Sequence, residues 1–121
     1  NGKLAIIGFC WGGGQSFSFA TNRQDLSAAF VCYGTPPGSD SMAKIHAPVY
    51  GFYGGNDNRV SSTVPDAVNA MKAAGKTYEP VIYDGAGHGF MRSGEQPDAD
   101  PANKKARDAA WAKILEVLAK L

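Results

Sequence analysis

Apolar positions along the chain fall into two rhythms that take turns. Short continuous apolar runs, bounded by glycine or proline, alternate with stretches that repeat every three to four residues. Leu4-Ala5-Ile6-Ile7 is the first run, closed by Gly8. Such runs fit a strand buried on both faces of a parallel sheet. A glycine turn is expected from Gly8 to Gly14, and Gln15 to Ala20 reads as the remainder of a helix ending near Asn22. Ala28 to Tyr33 predicts a second buried strand, stopped by the turn residues of Gly34-Thr35-Pro36-Pro37-Gly38. Pro48 to Tyr53 predicts a third, with Pro48 tolerable at its first residue. Gly54 to Asn58 reads as a loop.

The spacing of Val64, Ala67, Val68 and Met71 predicts a helix over 63–74, capped by Ser62 or Thr63 and ended by Gly75 as the C′ residue. Tyr78 to Tyr83 predicts a fourth strand. Asp84 to Asp100, rich in Gly, Asp and Pro, reads as a long loop. A closing helix is expected over 101–120. Ala110, Ile114, Val117, Leu118 and Leu121 form its apolar face, and Lys104, Lys105, Arg107 and Asp108 lie off it.

Strands alternating with helices predict an α/β fold: a three-layer domain over residues 1–121 around a short, mostly parallel four-stranded sheet. No internal repeat, low-complexity tract or linker divides it. The length of 121 residues suits one domain and not two. The 12 Lys and Arg nearly balance the 11 Asp and Glu, so no basic stripe supports nucleic-acid binding through phosphates. No apolar run approaches the ~20 residues of a membrane span. Two cysteines are too few for a disulfide scaffold. No C-x-x-C or H-x-x-x-H spacing points to zinc, so neither metal nor cofactor is expected. The chain opens on Asn1 rather than Met, as a processed, excised or trimmed chain would, and a cytoplasmic location is the default expectation.

The strongest chemical signal is Gly8-Phe9-Cys10-Trp11-Gly12-Gly13, between a buried strand and a helix. It reads as a G-x-nucleophile-x-G elbow, with Cys10 where Ser is more usual. The nucleophile of such an elbow sits in a strained turn, and its neighbours two residues away must be small for strand and helix to pack closely. The turn sets the sulfur near a helix N-terminus, where free N–H groups and the helix dipole favour a thiolate. The Trp11 N–H is placed to donate to an oxyanion. A phosphate-binding turn is the competing reading, but neither G-x-G-x-x-G nor a P-loop is present.

Asp57 follows the third predicted strand, and His88 follows the fourth in Gly85-Ala86-Gly87-His88-Gly89-Phe90. Nucleophile, acid and histidine thus stand in the chain order of an α/β-hydrolase, each at the C-terminal end of a strand. Cys10 would attack an acyl carbon, His88 would carry the proton, and Asp57 would hold the His88 tautomer. Taken singly, Cys10 also fits an inert thiol, Asp57 a turn or capping residue, and His88 an exposed loop histidine. Cys32 reads as core and His46 as surface. Trp11 could line a pocket or pack on a helix, and Phe90 could belong to pocket or core.

These segments resemble the dienelactone hydrolases, a cysteine branch of the α/β-hydrolases. The resemblance implies hydrolysis of an unsaturated carboxylated lactone to a keto-diacid in aromatic-compound breakdown. It also implies that Arg92 pairs with the substrate carboxylate and that Phe90 lies at the substrate. A guanidinium suits that task by its bidentate geometry. The family's chain is about twice as long, and the resemblance is to its C-terminal half, a truncated α/β-hydrolase fold. Absent with the other half are a second oxyanion donor, an acidic residue that controls the resting thiol, and a second carboxylate-binding arginine.

Residues 4–9 would then form an apolar edge with neither charge nor proline to blunt pairing. Self-association is expected through that side as a homo-oligomer, with two elbow strands pairing across a two-fold axis in a homodimer. Two other functions remain open: a non-catalytic hydrolase remnant that folds as an oligomer, and a thiol-based redox or thioester-binding module using Cys10.

Overall fold

A computed structural model describes residues 2–121. Its four strands are β1 (Ala5–Phe9), β2 (Ala28–Cys32), β3 (Val49–Gly54) and β4 (Tyr78–Tyr83). Its helices are α1 (Trp11–Asn22), α2 (Ser39–Met42), α3 (Asn58–Ser61), α4 (Val64–Ala73), α5 (Phe90–Ser93) and α6 (Pro101–Ala119). The strands lie in chain order, β1-β2-β3-β4, and every pairing is parallel. β2 is buried along its whole length, as an apolar run inside a parallel sheet should be.

Crossovers that step the same way with the same hand lie on one face of a sheet. Accordingly Phe17 and Ala20 of α1, Met42 of α2 and Val64, Ala67 and Met71 of α4 share one core with Ala29, Val31 and Val49. The chain after β4 covers the other face. Phe90 of α5 and Ala106, Ala110 and Ile114 of α6 pack there against Phe30, Cys32 and Phe52. Two apolar cores on the two faces make the three layers. Full burial of a side chain such as Phe17 or Phe52 stabilises by roughly 1.5–3 kcal/mol.

Several expectations change. The glycines after Cys10 are not a turn: α1 begins at Trp11 and takes in Gly12, Gly13 and Gly14. Segments read as loop or turn contain the short helices α2, α3 and α5. Val68 and Leu118, placed on apolar faces by periodicity, are 36% and 42% exposed, because the buried stripes of α4 and α6 are narrower than the patterns suggested. Thr63 occupies the N-cap of α4 but does not cap it with its side chain; its hydroxyl donates to the Val60 carbonyl at 2.6 Å. Gly75 does close α4. At φ +72° its N–H donates to the Lys72 carbonyl, and the Lys76 N–H reaches back to Met71.

β1 pairs only with β2, so its far edge is open among the described residues. Leu4, Ile7 and Phe9 are each more than a third exposed, and Leu115 and Leu118 stand beside them in being solvent-facing apolar residues. An apolar groove of about 220 Å³ runs between β1 and α6, lined by Ala5, Ile6, Ile7, Trp111 and Leu118. No described helix is long and apolar enough to cross a membrane.

Candidate active site

The elbow is built by close approach. Cys10 sits at φ 56°, ψ −124°, a backbone conformation that costs a non-glycine residue about 1–3 kcal/mol. Its N–H donates to the Cys32 carbonyl at 3.1 Å, and its own carbonyl accepts from Gly13 and Gly14. That fastens the end of β1 to β2 and starts α1 in one step. A Cβ at Gly8 would run into the Gly12 carbonyl, and one at Gly13 would run into the Cys32 carbonyl. Cys10 has no side-chain bond to the helix start and is exposed. As first residue of α1, Trp11 has no intrahelical acceptor for its N–H. Trp11 is 80% exposed.

Asp57 and His88 come from loops that follow adjacent strands and are tied together. Gly55 N–H donates to Tyr83 O at 2.8 Å, and Asn56 N–H to Ala86 O at 2.9 Å. The Asn56 side chain donates to Gly85 O at 3.1 Å. From α6, Asn103 accepts from the Gly87 N–H at 2.9 Å. Within this frame Asp57 Oδ2 lies 2.5 Å from His88 Nδ1. The Asp57 side chain is 7% exposed and that of His88 37%, so the carboxylate is enclosed and the ring reaches outward. Asp57 also stands at the N-cap of α3, yet its side chain bonds no helix N–H and is left to the imidazole. Accepting from Nδ1–H leaves the proton-accepting nitrogen, Nε2, free.

A cavity of about 520 Å³ opens over this pair, lined by Cys10, His88, Phe9, Tyr33, Met91 and Arg92 among others. Cys10 and His88 therefore share one wall, although no hydrogen bond joins them. Tyr33 was not singled out by the sequence. It holds φ +40° and lies edge-on to His88 at 5.1 Å and to Phe90 at 5.2 Å. Burial pushes its hydroxyl well above the usual tyrosine range, so it stays neutral. The Phe90 expectation is corrected: Phe90 is fully buried between Tyr33 and Tyr83, and Met91 takes the place at the cavity wall. Arg92 lines the cavity. Glu95, the carboxylate on the same wall, is held by Arg107 at 3.0 Å, so the Arg92 guanidinium has no ion-pair partner among the described residues.

Cys32 lies fully buried beneath the elbow, and burial pushes its thiol up to about 12. His46 is exposed. Among the described residues no cluster of three or more His, Cys, Asp or Glu could hold a metal ion.

A sheet that ends in a strained cysteine elbow, an Asp–His pair on the next loops and a shared cavity defines an α/β-hydrolase type of site. A sequence model of the dienelactone hydrolase family matches residues 1–121, and the chain belongs to that family. It is 33% identical over 117 residues to the "Putative carboxymethylenebutenolidase" of Saccharolobus solfataricus, covering 96% of this chain and 44% of that protein. It is also 33% identical to the protein of the same name in Escherichia coli K12, covering 94% of this chain and 45% of the relative. A solved structure of a "Putative Dienelactone Hydrolase" from Klebsiella pneumoniae superposes with a TM-score of 0.84 at 29% identity, over 98% of this chain and 52% of that one. The chain thus spans about half the length of the relatives it matches.

Proposed function

We propose that the protein hydrolyses a small carboxylic ester or lactone through Cys10, His88 and Asp57. The observation that carries this is the Asp57–His88 hydrogen bond at the wall of the cavity that Cys10 also lines. His88 Nε2 takes the proton of the thiol as sulfur bonds to the acyl carbon, then returns it to the leaving oxygen as the C–O bond breaks. Water, deprotonated by the same nitrogen, attacks the thioester and releases acid and thiol. Asp57 fixes the ring and stabilises its charged form. Hydrogen bonds to the nucleophile are often long in an empty site and close with substrate bound. The Trp11 N–H serves as one oxyanion donor. Arg92 meets a substrate carboxylate, which favours an unsaturated lactone acid of the kind broken down from aromatic compounds.

A second reading rests on a specific feature. Among the described residues the elbow supplies one oxyanion donor, and removing one such donor costs about 10²–10³ in rate. The chain would then be a hydrolase remnant whose triad turns over too slowly to matter. Turnover of an activated phenyl ester by the wild type, Cys10→Ser and His88→Ala separates the two. Loss of nearly all turnover in both variants supports hydrolysis; equal background rates in all three support the remnant. The open β1 edge completes the proposal: two copies pair through it, antiparallel across a two-fold axis, in a homodimer.

A further inference from the structure

The thiol stands at a junction. A second, smaller cavity of about 150 Å³ opens on the α3 side of the elbow, lined by Cys10, Trp11, Tyr33, Thr35, Arg59 and Val60. Cys10 and Tyr33 belong to both cavities, so a reacting carbonyl at the sulfur has one space on each side. Acyl transfer needs two such spaces, because the bond that breaks divides the substrate into two limbs.

The two spaces differ in size, each holds one arginine, and only the larger also holds a carboxylate, Glu95. The larger contains Arg92 and the smaller Arg59, and among the described residues neither guanidinium has an ion-pair partner. Arg59 is the second residue after Asp57, near the start of α3, so the loop that seats the acid beside His88 also fixes where this cation stands. Three properties of the small cavity select its occupant. Its volume takes a fragment of about six heavy atoms, the size of benzene. Its polar side chains include the Arg59 guanidinium and the Thr35 and Tyr33 hydroxyls. Its walls hold no carboxylate that would repel an anion.

We infer that Arg59 is a specificity-determining residue, and that the small cavity takes a short limb ending in a carboxylate two or three carbons from the reacting carbonyl. This rests on the reading of Cys10 as the atom that is acylated. The substrate class is then an ester or lactone of a short dicarboxylic acid. Its short limb ends in a carboxylate at Arg59, and its larger limb carries the carboxylate that meets Arg92.

The test needs no turnover, so it fails independently of the hydrolase reading. Iodoacetate and iodoacetamide have nearly the same shape and differ by one charge. Both alkylate a thiolate by forming C–S as C–I breaks. The ratio of their rates at Cys10, read from the mass of the Cys10 peptide, reports the local preference for an anion. In Arg59→Gln the iodoacetate-to-iodoacetamide ratio falls about fivefold or more, the size of a partly screened charge contact. Arg92→Gln, in the other cavity, lowers the ratio by less than Arg59→Gln does. The iodoacetamide rate is the internal control that the elbow is intact. An unchanged ratio in Arg59→Gln, or an equal fall in both variants, overturns the assignment.

Discussion

Gly8 and Gly12 meet face to face across the elbow, with the Gly12 carbonyl occupying the place a Gly8 side chain would fill. The contact is backbone on backbone, so no rotamer can relieve it. Gly8→Ala should push α1 off the sheet, costing about 3 kcal/mol or more or preventing folding. Gly12 behaves oppositely. Nothing lies within 4 Å of a Cβ added there, and the residue is in the first turns of α1. Gly12→Ala should stabilise by up to about 1 kcal/mol through helix propensity. Urea melts of the two variants against the wild type check both signs.

The Asp57–His88 bond makes a separate prediction. Asp57→Asn keeps the shape of the site but offers the imidazole an amide, which favours the wrong tautomer. Turnover of an activated ester should fall by about 10³–10⁴-fold with little change in melting temperature. Asn56→Ala removes one side-chain bond between the two loops and leaves the backbone bond to Ala86. It should lower kcat several-fold while leaving KM nearly unchanged, which steady-state kinetics on the same ester would read.

Alkaline pH should weaken the fold through groups that the core keeps protonated. Burial pushes the Cys32 thiol from 9.0 to about 12, and Tyr78 and Tyr83 from 10.0 to about 12. Below the ordinary values both folded and unfolded chains hold these protons, and the stabilisation is complete. As pH rises from ~9 toward ~12 the unfolded chain sheds them first, so stability falls. Cys32 alone contributes on the order of 1 kcal/mol per pH unit over that window. The melting temperature should decline above pH ~9, and Cys32→Ala should show a shallower decline. A flat profile in the wild type would remove the argument.

What the sequence made legible was whatever a local pattern or motif encodes. The four strands, helices α4 and α6, and the Gly75 stop are functions of neighbours within a few residues. So is the elbow, because Gly8-Phe9-Cys10-Trp11-Gly12 is contiguous. The misses lie where tertiary contact decides. Gly13 and Gly14 have poor helix propensity, and close packing against Cys32, Gly34 and Thr35 overrides it. Tyr33 looked like the end of a core strand; its place beside His88 follows from a positive φ that no residue type announces. Asn56 and Asn103 join elements far apart in the chain, so only the fold shows that they frame the Asp–His pair. Phe90 had a residue type suited to pocket or core, and burial decided for core.

The open side of β1 carries the last prediction. An edge strand with unpaired N–H and C=O groups is a template for another strand, and proteins normally guard it with lysine, proline, a bulge or a covering element. Here residues 5–9 carry none of the charged or proline guards, and the adjacent groove to α6 is lined by apolar side chains. A second copy would bring an identical strand, and a two-fold axis perpendicular to the sheet would pair the two antiparallel into one eight-stranded sheet. Light scattering after size exclusion should give twice the monomer mass of 12.7 kDa at micromolar concentration. Ile7→Lys places a charge at the centre of that edge, at a side chain already 38% exposed, so the fold should survive and the dimer should dissociate. A wild type that elutes only as monomer, or an Ile7→Lys variant that stays dimeric, would show that the elbow strands do not pair.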